Sequence, residues 1–371
     1  MHLCIVTHSF AKGSGQGRVN YEVVQQALLQ GYRLTLVGSD IDSEVAQHPQ
    51  VSWVPIRVSG WPTELLKNII FSAKATRWLQ RHRDHFDLLK INGAIAASAA
   101  DVNAVHFVHS AWLRSPAHTF RVRRDLYGLY QWLYTAVNAQ WERQAFQRAE
   151  TVVAVSQKIA EELVGIGVPS QKIKVILNGV DPEEFSPGPI SRSALDLPED
   201  VPLAFFAGDI QTSRKNLDTI LQALAHVPNL HLAIAGRIDN SPYPQMAADL
   251  GIANRAHFLD YRRDIADLMK AVDFFVFPSR YEACTLVLLE AMASGLPVIT
   301  AATAGGAELV SRESGIVLSD PNDVSALSQA MAALTEHQAG RSQMGEAARA
   351  IAVAHSWSHM AKTYLDQLNV S

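Results

Sequence analysis

Short apolar runs that stop at a glycine, a proline or a polar turn, and then give way to a helix-period segment, recur along the whole 371-residue chain. The first example runs from a β-rich stretch, His2 to Thr7, through the glycine loop Gly13-Ser-Gly-Gln-Gly17. A helical pattern from Val19 to Leu29, closed by Gly31, and a second strand, Arg33 to Val37, complete it. Consecutive strands separated by a helix pair in parallel, because a crossover of that length cannot form a hairpin. About five such β-α units fall in each half without a recognisable repeat. One core rarely grows to this length, so the fold class is α/β with two Rossmann-like domains. Pro187, Gly188 and Pro189 fit a hinge between them.

Composition narrows the compartment and the partners. With 48% apolar and 18% charged residues the chain reads as globular and ordered. Cys4 and Cys284 are the only cysteines and lie in different predicted domains, which supports neither a disulfide framework nor a cysteine-based zinc site. Leu3 to Val6 is too short for a signal-peptide core, and no apolar run reaches the roughly 18 to 20 residues that cross a bilayer. The expected location is the cytoplasm. Residues 1–183 carry a net charge of +4 and the remainder −8, so the first half suits an anionic partner weakly, and nothing indicates nucleic acid.

Chemistry concentrates between Phe275 and Gly306. Phe274 to Phe277 reads as a buried strand stopped by Pro278, Glu282 lies in the following loop, and Thr285 is placed to cap a helix from Leu286 to Met292 that Gly295 and Pro297 end. Glu290 projects from that helix, eight positions after Glu282. The amides of Cys284 to Val287 form a positive end suited to phosphate oxygens without a metal. Earlier, Leu203 to Ala207 ends at Gly208, and Arg214-Lys215 precede the next helix as a pyrophosphate clamp. Val102 to Ser110 reads as a strand with His109 at its C-terminal end, where open α/β sheets place ligands.

These residues carry a resemblance. Glu282-x7-Glu290, then Ala-Met-Ala-Ser-Gly-Leu-Pro-Val-Ile and a Gly-Gly turn before Glu308, resembles the EX7E region of glycosyltransferase family 4, whose members are retaining, nucleotide-sugar-dependent enzymes of the GT-B fold. "ILNGVD" from Ile176 to Asp181 is similar to that family's interdomain linker. The resemblance implies two facing Rossmann-like domains with a cleft between them. Residues 1–185 would form the acceptor-side domain, completed by a C-terminal helix over 356–371, and residues 186–355 the nucleotide-sugar domain.

It further implies a hexosyltransferase-type enzyme, with Glu282 and His109 on the donor sugar, Glu290 on the ribose, and Arg214 and Lys215 on the diphosphate. Thr285, Leu286 and Val287, with Gly15 and Gly17 of the first loop, would meet donor phosphates. No cofactor or metal is implied; the donor would be a UDP-, GDP- or ADP-sugar and the acceptor a sugar or lipid-linked hydroxyl, in polysaccharide, glycolipid or glycoconjugate assembly. Two positions depart from the family. Cys284-Thr285 stands where Phe-Gly is usual, and Asp209 where an Arg is usual, so either Arg214 replaces that charge or Asp209 turns away.

Trp112 to Phe146 combines Arg114, Arg121, Arg123 and Arg124 with six Trp and Tyr residues. This suits sugar stacking, a lipid diphosphate or a peripheral contact with the inner membrane face. Two other readings remain at this level: a nucleotide-sugar-binding protein without transfer activity, and an oxidoreductase using Gly13 to Gly17 for a dinucleotide, although Arg18 stands where its third glycine belongs. Asp40-Ile41-Asp42, in the domain opposite the clamp, is not read as a metal site.

Overall fold

The computed structural model describes residues 1–13 and 15–369; Ser14 of the glycine loop and Val370 and Ser371 of the expected terminal helix lie outside them. Two compact units emerge, Met1–Asn178 with Trp357–Ser371, and Gly179–Ser356. The division lies at Asn178/Gly179 and not at residue 185, and the Pro-Gly-Pro segment is inside the second unit. Arg349 explains the shift: its guanidinium donates to the carbonyls of Pro182 and Phe185 at 3.3 and 3.2 Å, binding the segment just before Pro187-Gly188-Pro189 to the second unit.

The first unit holds β1 (His2–Val6), β2 (Ser9–Phe10), β3 (Arg33–Gly38), β4 (Asp40–Ile41), β5 (Val51–Pro55), β6 (Leu88–Asn92), β7 (Val102–Val105), β8 (Thr151–Ala154) and β9 (Ile173–Val175). Seven of these form a parallel sheet in the order β5-β3-β1-β6-β7-β8-β9. The chain winds outward from β1 to β5 and restarts at β6 on the other side of β1. A crevice therefore opens beyond the C-terminal ends of β1 and β6, where the helices leave in opposite directions. Strands β2 and β4 make a small ribbon. There Asp40 accepts from the Ser9 hydroxyl at 2.9 Å and Asp42 caps the helix Ser43–Ala46, so both carboxylates serve local structure.

Three elements differ from the expectation. The glycine stretch is not a loop throughout, since Gly15 and Gly17 belong to the first turn of the helix Gly15–Leu29, with Gly17 buried. Strand β7 stops at Val105, and His109 instead opens the helix His109–Arg114. The aromatic segment is three helices, His109–Arg114, Thr119–Val122 and Leu126–Arg148. Asp125 starts the last of them by accepting the Gly128 amide at 2.8 Å.

Under the crevice lies a polar core. Lys90 is fully buried, and its ammonium donates to the amide oxygens of Asn20 and Asn92 at 2.8 and 2.7 Å and sits 5.4 Å from the Tyr364 ring centroid. With no carboxylate beside it, burial alone lowers its pKa to about 7. Tyr364 comes from the helix Trp357–Asn369, which also receives Arg18 over the ring of Trp357 at 5.6 Å.

The second unit is a six-stranded parallel sheet, β10 (Leu203–Ala207), β11 (His231–Ala235), β12 (Ala256–Phe258), β13 (Phe274–Phe277), β14 (Val298–Ala301) and β15 (Gly315–Leu318), in the order β12-β11-β10-β13-β14-β15. Its core is aromatic: Phe205, Phe206, Phe274, Phe275 and Phe277 are fully buried, and Phe206 stacks on Phe277 at 5.6 Å. The winding reverses between β10 and β13. Beyond that point the strand ends draw together, and a Cβ on Gly236 would lie 2.4 Å from the Gly208 carbonyl oxygen, so only glycine fits.

Candidate active site

In the second unit the residues singled out from the sequence leave the sheet at its reversal point. Arg214 and Lys215 follow β10, Glu282 follows β13, and their side chains meet. Lys215 Nζ lies 2.6 Å from Glu282 Oε1, and Arg214 Nη1 pairs with the same oxygen. The cations are fixed from behind by Asn216, fully buried and at φ 68°, which donates to the carbonyls of Pro278 and Pro321 at 2.8 and 2.5 Å. Left-handed backbone at this position suits Asn, and the side-chain bonds hold the turn against both neighbouring loops. Ser279 Oγ and the Arg280 amide each donate to the Arg214 carbonyl at 3.0 Å. Lys215 also lies over the Phe277 ring at 5.0 Å. Burial is the main influence on its ammonium and lowers its pKa, while Glu282 opposes the shift.

Asp209, the acid where a cation is usual, is turned into its own loop. One carboxylate oxygen accepts the Gln211 amide and the other the Thr212 hydroxyl, both at 2.8 Å. Its charge is thus spent on an Asx turn.

The helix Leu286–Ala293 begins beside this cluster. Thr285 occupies the cap position, but its hydroxyl does not cap: no side-chain bond forms, and the buried Oγ1 has no partner. The Thr285 amide instead donates to the Gly305 carbonyl at 2.9 Å, and the Gly305 amide returns a bond to the Glu282 carbonyl at 3.0 Å, so the Gly-Gly turn holds the Glu282 loop in place. The amides of Leu286 and Val287 are first-turn groups that a helix cannot satisfy internally. Glu290 is half-buried further along the same helix.

His109, Gly15 and Gly17 belong to the first unit, whose crevice is a cavity of about 480 Å³. Gln16, between the two glycines, lines it together with His109. The His109 and Ser110 amides donate to the two carboxylate oxygens of Glu142, each at 2.7 Å. A buried acid thus sets the start of the helix carrying His109, which is why the strand ends early. Burial pushes the Glu142 carboxyl up, opposed by those hydrogen bonds, and lowers His109 to about 4, so the imidazole is neutral near pH 7. Neither Glu142 nor Asn216 stood out in the sequence as a site residue. The available signal was a single carboxylate deep within a largely apolar helix, and an Asn directly preceding a helix.

Two parallel sheets of this winding, with ligand-type loops at each reversal, define the GT-B class of glycosyltransferases. Solved structures match over the full length: WaaG, a glycosyltransferase involved in lipopolysaccharide biosynthesis, has a TM-score of 0.77 at 20% identity, covering 99% of each chain. Anabaena Alr3699/HepE in complex with UDP and glucose has a TM-score of 0.69 at 19% identity, covering 100% of each chain.

Within that class the chain belongs to glycosyltransferase family 4. Residues 13–184 match the family pattern described as Glycosyltransferase Family 4, and residues 189–351 that described as Glycosyl transferases group 1. The D-inositol 3-phosphate glycosyltransferase of Xylanimonas cellulosilytica is 30% identical over 306 residues, covering 78% of this chain and 71% of that one. The protein is a nucleotide-sugar-dependent glycosyltransferase.

Proposed function

We propose that this enzyme transfers a hexosyl group to a hydroxyl acceptor with retention of anomeric configuration, without a metal or cofactor, in the assembly of a polysaccharide, glycolipid or glycoconjugate. The observation that carries the reading is the shared contact of Arg214 and Lys215 on Glu282 beside an uncapped helix end. As the bond from the sugar C1 to the diphosphate oxygen breaks, negative charge grows on the β-phosphate. The basic pair and the amides of Leu286 and Val287 would stabilise it, the role a divalent cation would otherwise fill, whereas the Thr285 amide is already taken by the Gly305 carbonyl. The acceptor oxygen attacks C1 from the leaving-group face, and its proton passes to a departing phosphate oxygen, so no protein base is required. In this proposal Glu282 and His109 orient the sugar, Glu290 holds the ribose, and Gly15 and Gly17 serve the donor phosphates. The donor is a UDP-, GDP- or ADP-sugar, and the UDP and glucose held by HepE favour the first.

The test is the anomeric proton of the product followed by NMR from a defined α-linked donor, with and without excess chelator. An α-product formed at the same rate in chelator is expected; an inverted product, or turnover restored only by added cation, overturns the reading.

The partner surface is part of the same proposal. No helix among the described residues is long and apolar enough to cross a membrane. Yet the helix Leu126–Arg148 exposes Leu126 by 86%, Leu129 by 51% and Leu133 by 47%, with Trp132 and Tyr127 beside them. Arg121, Arg123 and Arg124 precede this face, which matches an anionic lipid surface and so a peripheral place at the inner face of the membrane. Substituting Trp132→Glu together with Leu133→Glu should weaken co-sedimentation with phosphatidylglycerol vesicles by about 10-fold or more, given about 1.5–3 kcal/mol for each large apolar side chain withdrawn from water. Equal sedimentation of variant and wild type would remove this surface from the proposal.

A further inference from the structure

Outside the crevice the first unit has a second hollow, of about 470 Å³, between the helices Glu64–His82 and Leu126–Arg148. That size falls within the roughly 300–1,000 Å³ of small-molecule sites. The two helices are joined near their N-termini, where the Leu65 amide donates to the Tyr130 hydroxyl at 3.2 Å and Asn68 Nδ2 to the Tyr134 hydroxyl at 3.1 Å. Further along, Ala73, Thr76 and Ala145 are too short to close the gap. The loop after β6 completes the hollow and is held there by the Ala97 amide, which donates to Thr76 Oγ1 at 2.8 Å.

Arg77 and Arg148 line this hollow from the two helices, together with Trp141, Gln80 and Gln144. Among the described residues none of these five side chains has a hydrogen bond or ion pair within the protein, and no Asp or Glu belongs to the lining. The carbonyls that end the second helix, which would repel an anion, are covered: Lys172 Nζ donates to those of Gln147 and Ala149 at 3.1 and 2.9 Å. The crevice has the opposite balance, with Glu64 and Glu142 against Lys67.

We propose that the hollow is a second binding site, for a phosphate ester, with the guanidiniums of Arg77 and Arg148 on the phosphate oxygens and Trp141 as an apolar wall for the esterified group. Guanidinium geometry matches phosphate oxygens in pairs, and the Gln80 and Gln144 amides add neutral donors. Both arginines are exposed, and one exposed ion pair contributes little, so affinity requires the two together on a concave surface. The half-buried Trp141 supplies that surface with area an ester can cover. The ester is either a soluble metabolite or a phospholipid head group. The site lies in the first unit, away from the clamp of Arg214 and Lys215 in the second, and does not rest on the transferase reading.

Isothermal titration with glycerol 3-phosphate and co-sedimentation with phosphatidylglycerol vesicles present the same chemistry free and at a lipid surface. With the full chain carrying Arg77→Gln and Arg148→Gln, at least one of the two should weaken by about 10-fold or more, equivalent to about 1.4 kcal/mol. Tm and donor turnover should stay near wild type, since neither side chain is bonded to the rest of the protein. Weakened binding of glycerol 3-phosphate assigns a soluble ester; weakening confined to the vesicles assigns a head group. Arg143, exposed on the same helix but outside the hollow, is the control, and Arg143→Gln should change neither measurement. A wild type that binds neither probe, a double variant that binds both as the wild type does, or equal weakening by Arg143→Gln overturns the proposal.

Discussion

Lys215→Ala is expected to lower kcat by about 10²–10³-fold, the usual cost of removing one group that stabilises charge developing in a transition state. The size follows from where the ammonium sits. It is largely withdrawn from water, flanked by the Phe277 ring, and ion-paired with Glu282 at 2.6 Å. In that setting a positive charge acts through a low effective dielectric, so in the proposed reaction it would favour the departing diphosphate far more than a solvated lysine would. Because the donor diphosphate carries negative charge before the glycosidic bond breaks and gains more as it does, kcat/KM should fall further than kcat, with a rise in donor KM. The turn itself is held by Asn216, Ser279 and Arg280, and none of its backbone bonds uses the Lys215 side chain. Circular dichroism and Tm should therefore stay close to wild type. A folded variant with full turnover would remove Lys215 from the chemistry.

What the sequence made legible was local. Strand β13 and the helix after it were readable because four apolar residues stopped by Pro278, and an apolar helical run closed by Gly295, obey rules written in neighbouring residues. The two units followed from the β-α alternation, but the ion pairs of Arg214 and Lys215 with Glu282 were not foreseen, because they depend on loops after two different strands. The misses share a cause, which is dependence on residues far away in the chain. His109 starts a helix because Glu142, 33 residues later, accepts its amide. The first unit ends at Asn178 because Arg349 binds Pro182 and Phe185 from more than 160 positions away. Thr285 has the right identity for a cap, but its own amide is drawn to Gly305, and the hydroxyl is left without a partner. Asp209 shows the reverse case. Its accommodation is settled by residues two and three positions on, and Asp-x-Gln-Thr could have been read as an Asx turn from the outset.

Glu282→Gln separates two roles that a single loss of activity would merge. Both cations that the proposal assigns to the donor diphosphate are turned onto one oxygen of its carboxylate. Any diphosphate must compete with that contact, and the contact is not weak: the side chains of Glu282 and Lys215 are only 12% and 15% exposed. Gln keeps the shape and can still accept a hydrogen bond, but it removes the charge, leaving Lys215 buried beside a neutral amide. An uncompensated buried cation is unfavourable, and an incoming phosphate relieves it. Nucleoside diphosphate should therefore bind the variant about 5- to 10-fold more tightly, a gain of about 1–1.4 kcal/mol. Turnover should move the other way, by about 10²-fold, because an amide donates where the carboxylate would have accepted from sugar hydroxyls, and the better-held product leaves more slowly. Isothermal titration with UDP, GDP and ADP, set beside kcat, reads both signs in one preparation. Parallel loss of nucleotide affinity and turnover would mean that Glu282 serves to hold Lys215 in position for the diphosphate, and the competition between carboxylate and phosphate would have to be abandoned.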